Sequence, residues 1–327
     1  MLAQRMPDAY DGVLSAAPAI NWERFIVGEL WPQVVMQQEL GGPICQDKLA
    51  LATQAAVAAC DRIDGVEDGV IADPTRCPFN AKSLVGQQVP DLSPDDGVEC
   101  GEFTWADAEV VNAIWDGAKA VRGRSPNHGK SLWYGLAPGA PLNALAGSNP
   151  FIIAVQHMQW VQQDPTFDWT TLDYEAFTEA FRESQRLFNG VIGTDDPDLR
   201  PFRDAGGKVL LWHGSYDQLI LPEGTIDYYR RVLRRMGGLH NVSRFARLLM
   251  APGVFHCGGG VAGAATQFDA FGALVDWVES GDARSGSSPP GRTWRERPSP
   301  GRCAYTRSWR GTTARVIPTK RPASTAG

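Results

Sequence analysis

The sequence has 327 residues, of which 43% are hydrophobic, and a formal net charge of −6. A chain of this length and composition can bury a sizeable core, as one large domain or as one domain with a second inserted into it. Its apolar runs all fall short of the roughly 18 residues that a membrane-spanning helix needs, so we expect no membrane segment.

The first twenty residues predict the start of a core domain. Residues 1–10 have helical spacing, and residues 12–18 (GVLSAAP) are typical of a core strand. A domain that opens inside a helix, without a capping residue, indicates that preceding residues have been lost. We therefore expect residues 1–20 to belong to a truncated core, and no signal peptide is visible before Met1.

Helical spacing continues over residues 21–40 and 46–60, and an acidic segment follows at residues 60–77, CDRIDGVEDGVIADPTRC. This segment contains Asp61, Asp64, Asp68 and Asp73, with glycines at 65 and 69. Closely spaced carboxylates repel one another unless a hard cation neutralises them, and glycine turns let carbonyls join the ligands of calcium. The spacing is not that of an EF-hand, and a solvated acidic turn closed by a disulfide remains the alternative.

Residues 78–204 carry no further signal of a parallel strand. Helical patterns cover residues 105–119, 149–163 and 174–189, with connections rich in Gly and Pro. A segment of this length between two core strands indicates a lid over an active site. Its aromatic residues either line a pocket for an aromatic substrate or form the lid's own core, and the second reading is favoured for any single one: Trp105, Trp115, Trp133, Tyr134, Trp160, Phe167 and Trp169.

Two apolar strands, each ending in a polar loop, follow the lid. Residues 208–212 (KVLLW) are typical of a parallel strand buried on both faces, and Asp217 lies in the loop after them. An amphipathic helix over residues 221–236 and a strand over 244–250 lead to a loop with His256 beside Cys257, before a closing helix at 266–280.

This is the order in which α/β-hydrolases carry the last two members of a catalytic triad, so we predict that His256 is a base and Asp217 its orienting acid. The alternatives are that Asp217 is a turn or cap residue and that His256 is a structural loop histidine. The other histidines have no matching partner in the sequence and are interpreted as surface or structural residues: His128, His157, His213 and His240.

The nucleophile of such a triad is missing from the sequence. A catalytic serine should stand on a sharp strand-to-helix turn of the type G-x-S-x-G, and no such turn occurs. Ser215 lies two residues before Asp217 in the same loop and could replace that serine only in an unusual geometry.

The cysteines favour disulfide bonds. None of the six forms a C-x-x-C pair, and the histidines are not at zinc-ligand spacing, so a metal–thiolate site is not expected. Disulfides in turn predict an exported protein.

Four motifs together resemble the tannase and feruloyl esterase family of secreted α/β-hydrolases: YDGVLSAAPAINW, CDRIDGVEDGVIADPTRC, WHGSYDQLI and APGVFHCGGG. The resemblance covers residues 1–282 and implies a partial α/β-hydrolase fold, a mostly parallel sheet with a large, mainly helical lid inserted. In that family a G-C-S-x-G-G-R-Q elbow with the nucleophilic serine lies just upstream of the segment that matches the start of this chain.

The resemblance also implies site residues. Asp217 would be the triad acid and His256 the triad base. A structural calcium ion would be bound by the side chains of Asp61, Asp64 and Asp68 and by the carbonyl groups of two further residues, Val66 and Val70. Cys60 would bond Cys77, Cys45 could bond Cys100, and Cys257 would bond a cysteine beside the serine that this sequence lacks.

Residues 283–327 depart from the family pattern. From Arg284 onward the chain has ten Lys or Arg and a single acid, Glu296, without periodicity. This composition is typical of disorder or of a frameshifted reading frame, and we assign the tail no function and no nucleic-acid partner.

The sequence therefore predicts a truncated core at residues 1–20, a lid at 21–205, a core with Asp217 and His256 at 206–282, and the basic tail. The expected function is a secreted carboxylic ester hydrolase of small aromatic-acid esters with a Ser-His-Asp mechanism, inactive in this form because the serine is missing. The alternative is a non-catalytic, calcium-stabilised binding module or a degenerate remnant.

Overall fold

The computed structural model describes residues 1–93 and 97–281. The prediction for the basic tail lies outside these residues, as does Cys303. Within the described ranges, no helix combines the length and the apolar character that crossing a membrane would require.

The helices and strands alternate along the chain. The helices are α1 (Leu2–Arg5), α2 (Trp22–Gly28), α3 (Trp31–Leu40), α4 (Gln46–Cys60), α5 (Trp105–Asp116), α6 (Ile152–Gln162), α7 (Tyr174–Ile192), α8 (Arg200–Asp204), α9 (Pro222–Arg235), α10 (Leu239–Val242) and α11 (Ala270–Ser280). The strands are β1 (Gly12–Ala16), β2 (Gln88–Val89), β3 (Gly101–Glu102), β4 (Lys119–Val121), β5 (Gly129–Ser131), β6 (Lys208–Gly214) and β7 (Ala246–Ala251).

A parallel sheet in the order β1-β6-β7 carries the core. Successive residues of a strand point to opposite faces. Leu210 accordingly packs on α11 with Leu274 and Trp277, while Val209 and Leu211 pack on the opposite face, among residues of α8 and α9. The central strand is therefore covered on both sides, which explains its uninterrupted apolar sequence.

The largest apolar cluster lies mostly within residues 21–205, the predicted lid, and extends to Leu221. It is built from residues of helices α2 to α7, and α3 packs on α5 while α2 packs on α7. Trp31 lies at its centre and donates from Nε1 to the carbonyl oxygen of Ala113 at 3.0 Å. The lid and its boundaries stay a prediction.

Most aromatic residues of the predicted lid are part of this cluster or pack against it. Trp133 is buried, and Trp115, Tyr134, Phe167 and Trp169 pack against the cluster. The exceptions, Trp105 and Trp160, are 62% and 64% exposed.

Several predicted boundaries were wrong. The single helix expected over residues 21–40 is two helices, because Pro32 has no N–H to donate and is placed in the first turn of α3, where none is needed. The last strand starts at Ala246 instead of 244, since Phe245 still bonds back to Val242 in the turn after α10. The antiparallel ribbons β2–β3 and β4–β5 were not predicted.

Two disulfides hold the ends of α4. Cys45, the N-cap residue, is bonded to Cys100, and Cys60, the last residue, is bonded to Cys77. Both pairings implied by the family resemblance are thus confirmed. Cys257 is a free, exposed cysteine.

Candidate active site

The loop after β6 fixes Asp217 in a fully buried position. Its Oδ1 atom accepts the backbone N–H groups of Leu219 and Ile220 at 2.9 and 2.8 Å. An aspartate that accepts the N–H groups two and three residues ahead stabilises a turn, so the alternative role of Asp217 as a turn residue is also fulfilled. Its second oxygen, Oδ2, remains for other partners.

The loop after β7 carries His256 to that second oxygen. The distance from His256 Nδ1 to Asp217 Oδ2 is 3.0 Å, and the backbone N–H of His256 donates to Gln218 Oε1 at 3.1 Å. The two loops meet because β6 and β7 are parallel neighbours, whose carboxyl ends share one edge of the sheet.

Close backbone contact locks the two loops together. Ser215 N–H donates to the carbonyl of Ala251, and Tyr216 N–H donates to that of Val254. A Cβ atom on Gly214 would lie 2.2 Å from the Val254 oxygen, so this contact requires glycine. The Asp217–His256 distance is therefore set by backbone geometry, not by side-chain choice alone.

The protonation states of the pair suit a base and its orienting acid. Burial alone would raise the pKa of Asp217, but hydrogen bonds from His213 and His256 outweigh it, and the pKa lies below its ordinary value. The hydrogen bond to Asp217 raises the pKa of His256. A charged Asp217 fixes the proton of a neutral His256 on Nδ1, which leaves Nε2 with a lone pair that can accept a proton.

His213 was interpreted from the sequence as surface or structural, and it is fully buried against Asp217. Its Nε2 atom lies 3.0 Å from Asp217 Oδ2, so two histidines meet one carboxylate oxygen. The spacing His-x-x-x-Asp at the end of a buried strand was the available signal. The other buried histidine, His157, bonds Ser184 Oγ far from this site.

Ser215 does not take the place of a catalytic serine here. It is buried, and its Oγ atom accepts the backbone N–H of Gly253 at 2.9 Å. His256 Nε2 lies 3.5 Å from Cys257 Sγ. Burial and the charge of Asp217 raise the pKa of the Cys257 thiol, which favours its neutral form over the nucleophilic thiolate.

A buried acid near the pair was also missed by sequence reasoning. Glu29 follows α2, and neither of its carboxylate oxygens has a hydrogen-bond partner among the residues that the structure describes. Burial, together with the negative charge of Asp217, places the pKa of Glu29 well above its ordinary value. No motif marks this residue, because a glutamate at the end of an amphipathic helix is normally solvated.

The acidic segment at residues 60–77, here called the acidic loop, wraps around Asp61. This buried carboxylate accepts the N–H groups of Asp68, Gly69 and Val70 at 3.0 to 3.2 Å. Asp64 Oδ1 accepts the N–H of Val66 at 2.9 Å. The loop is therefore folded around its carboxylates rather than extended into solvent.

The acidic loop carries uncompensated negative charge. Burial raises the pKa of Asp68, and the charges of Asp61 and Asp64 raise it further. Arg62, which lies between Asp61 and Asp64 in the sequence, is paired with Glu67 instead. Closely spaced carboxylates are the donor chemistry that a hard cation binds.

The three carboxylates are not tightly gathered. Among the described residues, a set of three potential ligand atoms within 4.8 Å of one another occurs at Cys45, Asp47 and Cys100, where both sulfurs are in a disulfide. The side chains of the acidic loop would have to approach one another to share one ion. The oxygen donors fit calcium, and the carboxylate oxygens lie farther apart than they would around a bound ion.

One hydrogen bond joins the acidic loop to the Asp217 loop. Tyr216 Oη accepts the N–H of Ile71 at 2.7 Å, and both residues are buried. A cavity of about 380 Å³ lies beside the acidic loop, lined among others by Phe79, Trp115 and Glu223, and neither Asp217 nor His256 lines it.

Comparison with known proteins identifies a family for the chain. The family model described as tannase and feruloyl esterase matches residues 1–289. A probable feruloyl esterase of Arthroderma benhamiae is 39% identical over an alignment of 295 residues, which covers 86% of this chain and 52% of the relative. A mono(2-hydroxyethyl) terephthalate hydrolase of Piscinibacter sakaiensis is 30% identical over an alignment of 332 residues, gaps included, which covers 86% of this chain and 53% of the relative.

Two solved structures share the architecture. An esterase from Aspergillus oryzae superposes with a TM-score of 0.71 at 28% identity, covering 87% of this chain and 56% of that one. A tannin acyl hydrolase from Aspergillus niger has a TM-score of 0.75 at 23% identity, with 87% and 55% covered. These likenesses confirm the predicted α/β-hydrolase fold, and the chain spans about half the length of the proteins it matches.

Proposed function

The chain belongs to the tannase and feruloyl esterase family, and on that premise we propose that its chemistry is the hydrolysis of carboxylic esters of aromatic acids. The observation that carries the proposal is the 3.0 Å contact between His256 Nδ1 and Asp217 Oδ2. The names of the relatives support aromatic esters as the substrate class, since they include feruloyl esterases and a terephthalate ester hydrolase.

In the proposed mechanism His256 acts as general base and then as general acid. Its Nε2 atom takes the proton from a serine hydroxyl as the serine oxygen attacks the ester carbonyl, and then gives it to the leaving alcohol. A water molecule, deprotonated at the same Nε2, attacks the acyl-enzyme, and the proton passes from Nε2 to the serine oxygen as the bond to the aromatic acid breaks. Asp217 stays charged throughout and stabilises the imidazolium that forms twice.

The nucleophile is the part of this proposal that the 327 residues do not supply. No G-x-S-x-G turn occurs in the sequence, and Ser215 is bonded to Gly253. We therefore expect the 327-residue chain alone to be inactive on methyl ferulate. Turnover that is lost in Ser215→Ala would contradict this and would make Ser215 the nucleophile.

The test of the function is a chimera in which residues 1–281 replace the matching part of the Arthroderma benhamiae relative. We expect it to hydrolyse methyl ferulate, and we expect Asp217→Asn and His256→Gln to lower kcat by about 10³ to 10⁴. His240→Gln, a substitution of an exposed histidine, is the matched control and should leave kcat unchanged. A folded chimera that binds ferulate without turnover would favour the rival binding-module function.

We also propose a structural calcium ion in the acidic loop. The side chains of Asp61, Asp64 and Asp68 and the carbonyls of Val66 and Val70 would hold it, and the ion would neutralise the charge described above. Export is proposed as well, since the two disulfides form and persist in oxidising compartments.

A further inference from the structure

Two histidines donate to the same oxygen of Asp217, and the mechanism uses one of them. We propose that His213 is a positioning residue, which holds the Asp217 carboxylate in place and limits how much negative charge it presents to His256. The inference rests on the proposed ester-hydrolysing function, because that function gives Asp217 and His256 their roles. The geometry of the three residues and the experiment below do not depend on turnover.

The surroundings of His213 determine where its proton lies. Nε2 is 3.0 Å from Asp217 Oδ2 and 2.8 Å from the carbonyl oxygen of Ile220, and both of these atoms can only accept. Nε2 therefore carries the proton. Nδ1 is 2.9 Å from Thr225 Oγ1, so in the neutral ring the threonine hydroxyl donates to Nδ1.

Every hydrogen-bonding atom of this buried ring has a partner, which makes His213 a rigid donor. With it, Asp217 receives four N–H groups: two backbone groups on Oδ1 and two imidazole groups on Oδ2. Four donors from different directions prevent the carboxylate from rotating. They also spread its charge over several bonds, so His256 experiences part of that charge rather than the whole.

The other titratable groups that face this arrangement favour their neutral forms. Glu29, from the end of α2, has a pKa well above its ordinary value because of burial and the charge of Asp217. Cys257, beside His256 in the loop after β7, has a raised pKa, mainly through burial. Neither Glu29 after α2 nor Cys257 in the loop after β7 therefore supplies a positive charge that could replace the N–H donor of His213.

This arrangement predicts how the titration of His256 responds to His213. Without the second imidazole donor, Asp217 presents more charge to His256, and the imidazolium is stabilised. We expect His213→Phe to raise the pKa of His256 by about 0.5 to 1, the size expected when part of a charge-assisted hydrogen bond is redistributed. His213→Gln places an amide N–H near the Nε2 position and should bring the pKa of His256 most of the way back to its value in the parent protein.

The measurement is an NMR pH titration of the ¹³C-labelled histidine Cε1–H signals in the 327-residue protein, with His256 assigned from the His256→Gln spectrum. His157→Gln is the matched control, because His157 is an equally buried histidine bonded to Ser184 instead of Asp217. A higher His256 pKa in the Phe variant, restored by Gln and absent in the control, supports the inference. An unchanged pKa in the Phe variant, or equal shifts in Phe and Gln, overturns it.

A second pair of variants decides the question if His213→Phe does not fold. Thr225→Val removes the hydroxyl that holds Nδ1, whereas Thr225→Ser keeps it. A rise in the His256 pKa in Thr225→Val, smaller than that expected for His213→Phe and absent in Thr225→Ser, supports the role of His213. Equal His256 pKa values in the two Thr225 variants overturn it. An inactive chimera would contradict the proposed function without changing either titration.

Discussion

His157 shows how burial without a charged partner acts on one residue. The ring is almost fully buried in the predicted lid, and Nε2 is bonded to Ser184 Oγ. Nδ1 has no hydrogen-bond partner within the described ranges of the chain. Burial lowers the pKa of His157 from 6.5 to about 4. The folded protein therefore holds this histidine neutral at pH values where the unfolded chain would protonate it.

We predict that His157 makes the protein sensitive to acid between pH 6.5 and 4. Because the folded pKa is the lower one, the unfolded state binds more protons in this window, and stability falls as the pH decreases. The loss attributable to His157 is about 3 kcal/mol at most. Urea unfolding of the parent and of His157→Leu at pH 7 and pH 4 should show a smaller acid loss in the variant.

The Leu variant leaves Ser184 satisfied, since its hydroxyl also donates to the carbonyl of Glu23. Glu29 and Glu223 have raised pKa values, so their contributions fall as the pH rises and oppose the trend of His157 in the same window. The difference between parent and variant removes those contributions. Equal acid losses in the two proteins would contradict the prediction.

At the residue scale, the sequence identified the acid and the base as candidates but not their buried neighbours. Asp217 and His256 were predictable as a pair because each follows an apolar strand, and the carboxyl ends of parallel neighbours meet. Their catalytic roles stay predictions. His213 and Glu29 could not be placed, since whether a polar residue at an element's end points inward depends on tertiary packing that no local pattern records.

At the scale of elements, the junction of β6 with the loop after β7 determines the distance between the candidate acid and base. Gly214 ends β6 opposite Ala251, and its Cα faces the Val254 carbonyl. We predict that Gly214→Ala separates the two loops, because a Cβ 2.2 Å from a backbone oxygen cannot be accommodated without moving the chain.

The expected cost is about 2 kcal/mol or more in the free energy of unfolding, measured by urea denaturation. In the chimera, kcat should fall as His256 moves away from Asp217. Gly190→Ala is the matched control, since that helical glycine has no atom within 4 Å of its added Cβ. Helix propensity predicts a neutral or slightly stabilising effect there, and a similar cost at both positions would contradict the argument.

The longer elements were predictable and their ends were not. Helix α7, expected over residues 174–189, is observed over Tyr174–Ile192, because its amphipathic pattern runs over several turns. Helix α5 ends three residues earlier than expected, before Gly117, which takes a left-handed φ of 82°. A Cβ at Gly117 would lie 2.3 Å from the Tyr134 carbonyl carbon, a long-range contact that the sequence does not reveal.

At the scale of the whole molecule, the Tyr216–Ile71 hydrogen bond connects the acidic loop to the sheet that carries Asp217. Order in the acidic loop is therefore part of the global fold. We predict that calcium raises the melting temperature. A ligand that binds only the folded state, present at a free concentration 100 times its Kd, adds about 2.7 kcal/mol to the free energy of unfolding. Thermal unfolding in excess CaCl₂ and in EDTA measures the difference.

Asp64→Asn should lose most of the gain from calcium, since it removes one proposed ligand charge. Glu67→Gln is the matched control, because this exposed acid of the same loop pairs with Arg62 and is outside the proposed ligand set. Equal melting temperatures in calcium and EDTA would contradict the assignment of the ion.

The fold class was predictable at this scale, whereas the pairing of distant segments was not. Alternation of apolar strands and amphipathic helices predicted an α/β core. The position of β1 beside β6, nearly two hundred residues later, joins segments that no local pattern relates. The ribbons β2–β3 and β4–β5 have two or three residues per strand, too short for a period-2 pattern to be recognised.

The two disulfides at the ends of α4 also bear on oxidative folding. The Cys60–Cys77 bridge, with a separation of 17, lies wholly inside the Cys45–Cys100 loop, with a separation of 55. Chain entropy assigns such loops about 3 and about 4 kcal/mol when each is closed alone. Because the loops are nested and do not cross, either bridge can form first without threading the chain. Closing the inner bridge shortens the free chain between Cys45 and Cys100, so the outer bridge then closes a shorter loop.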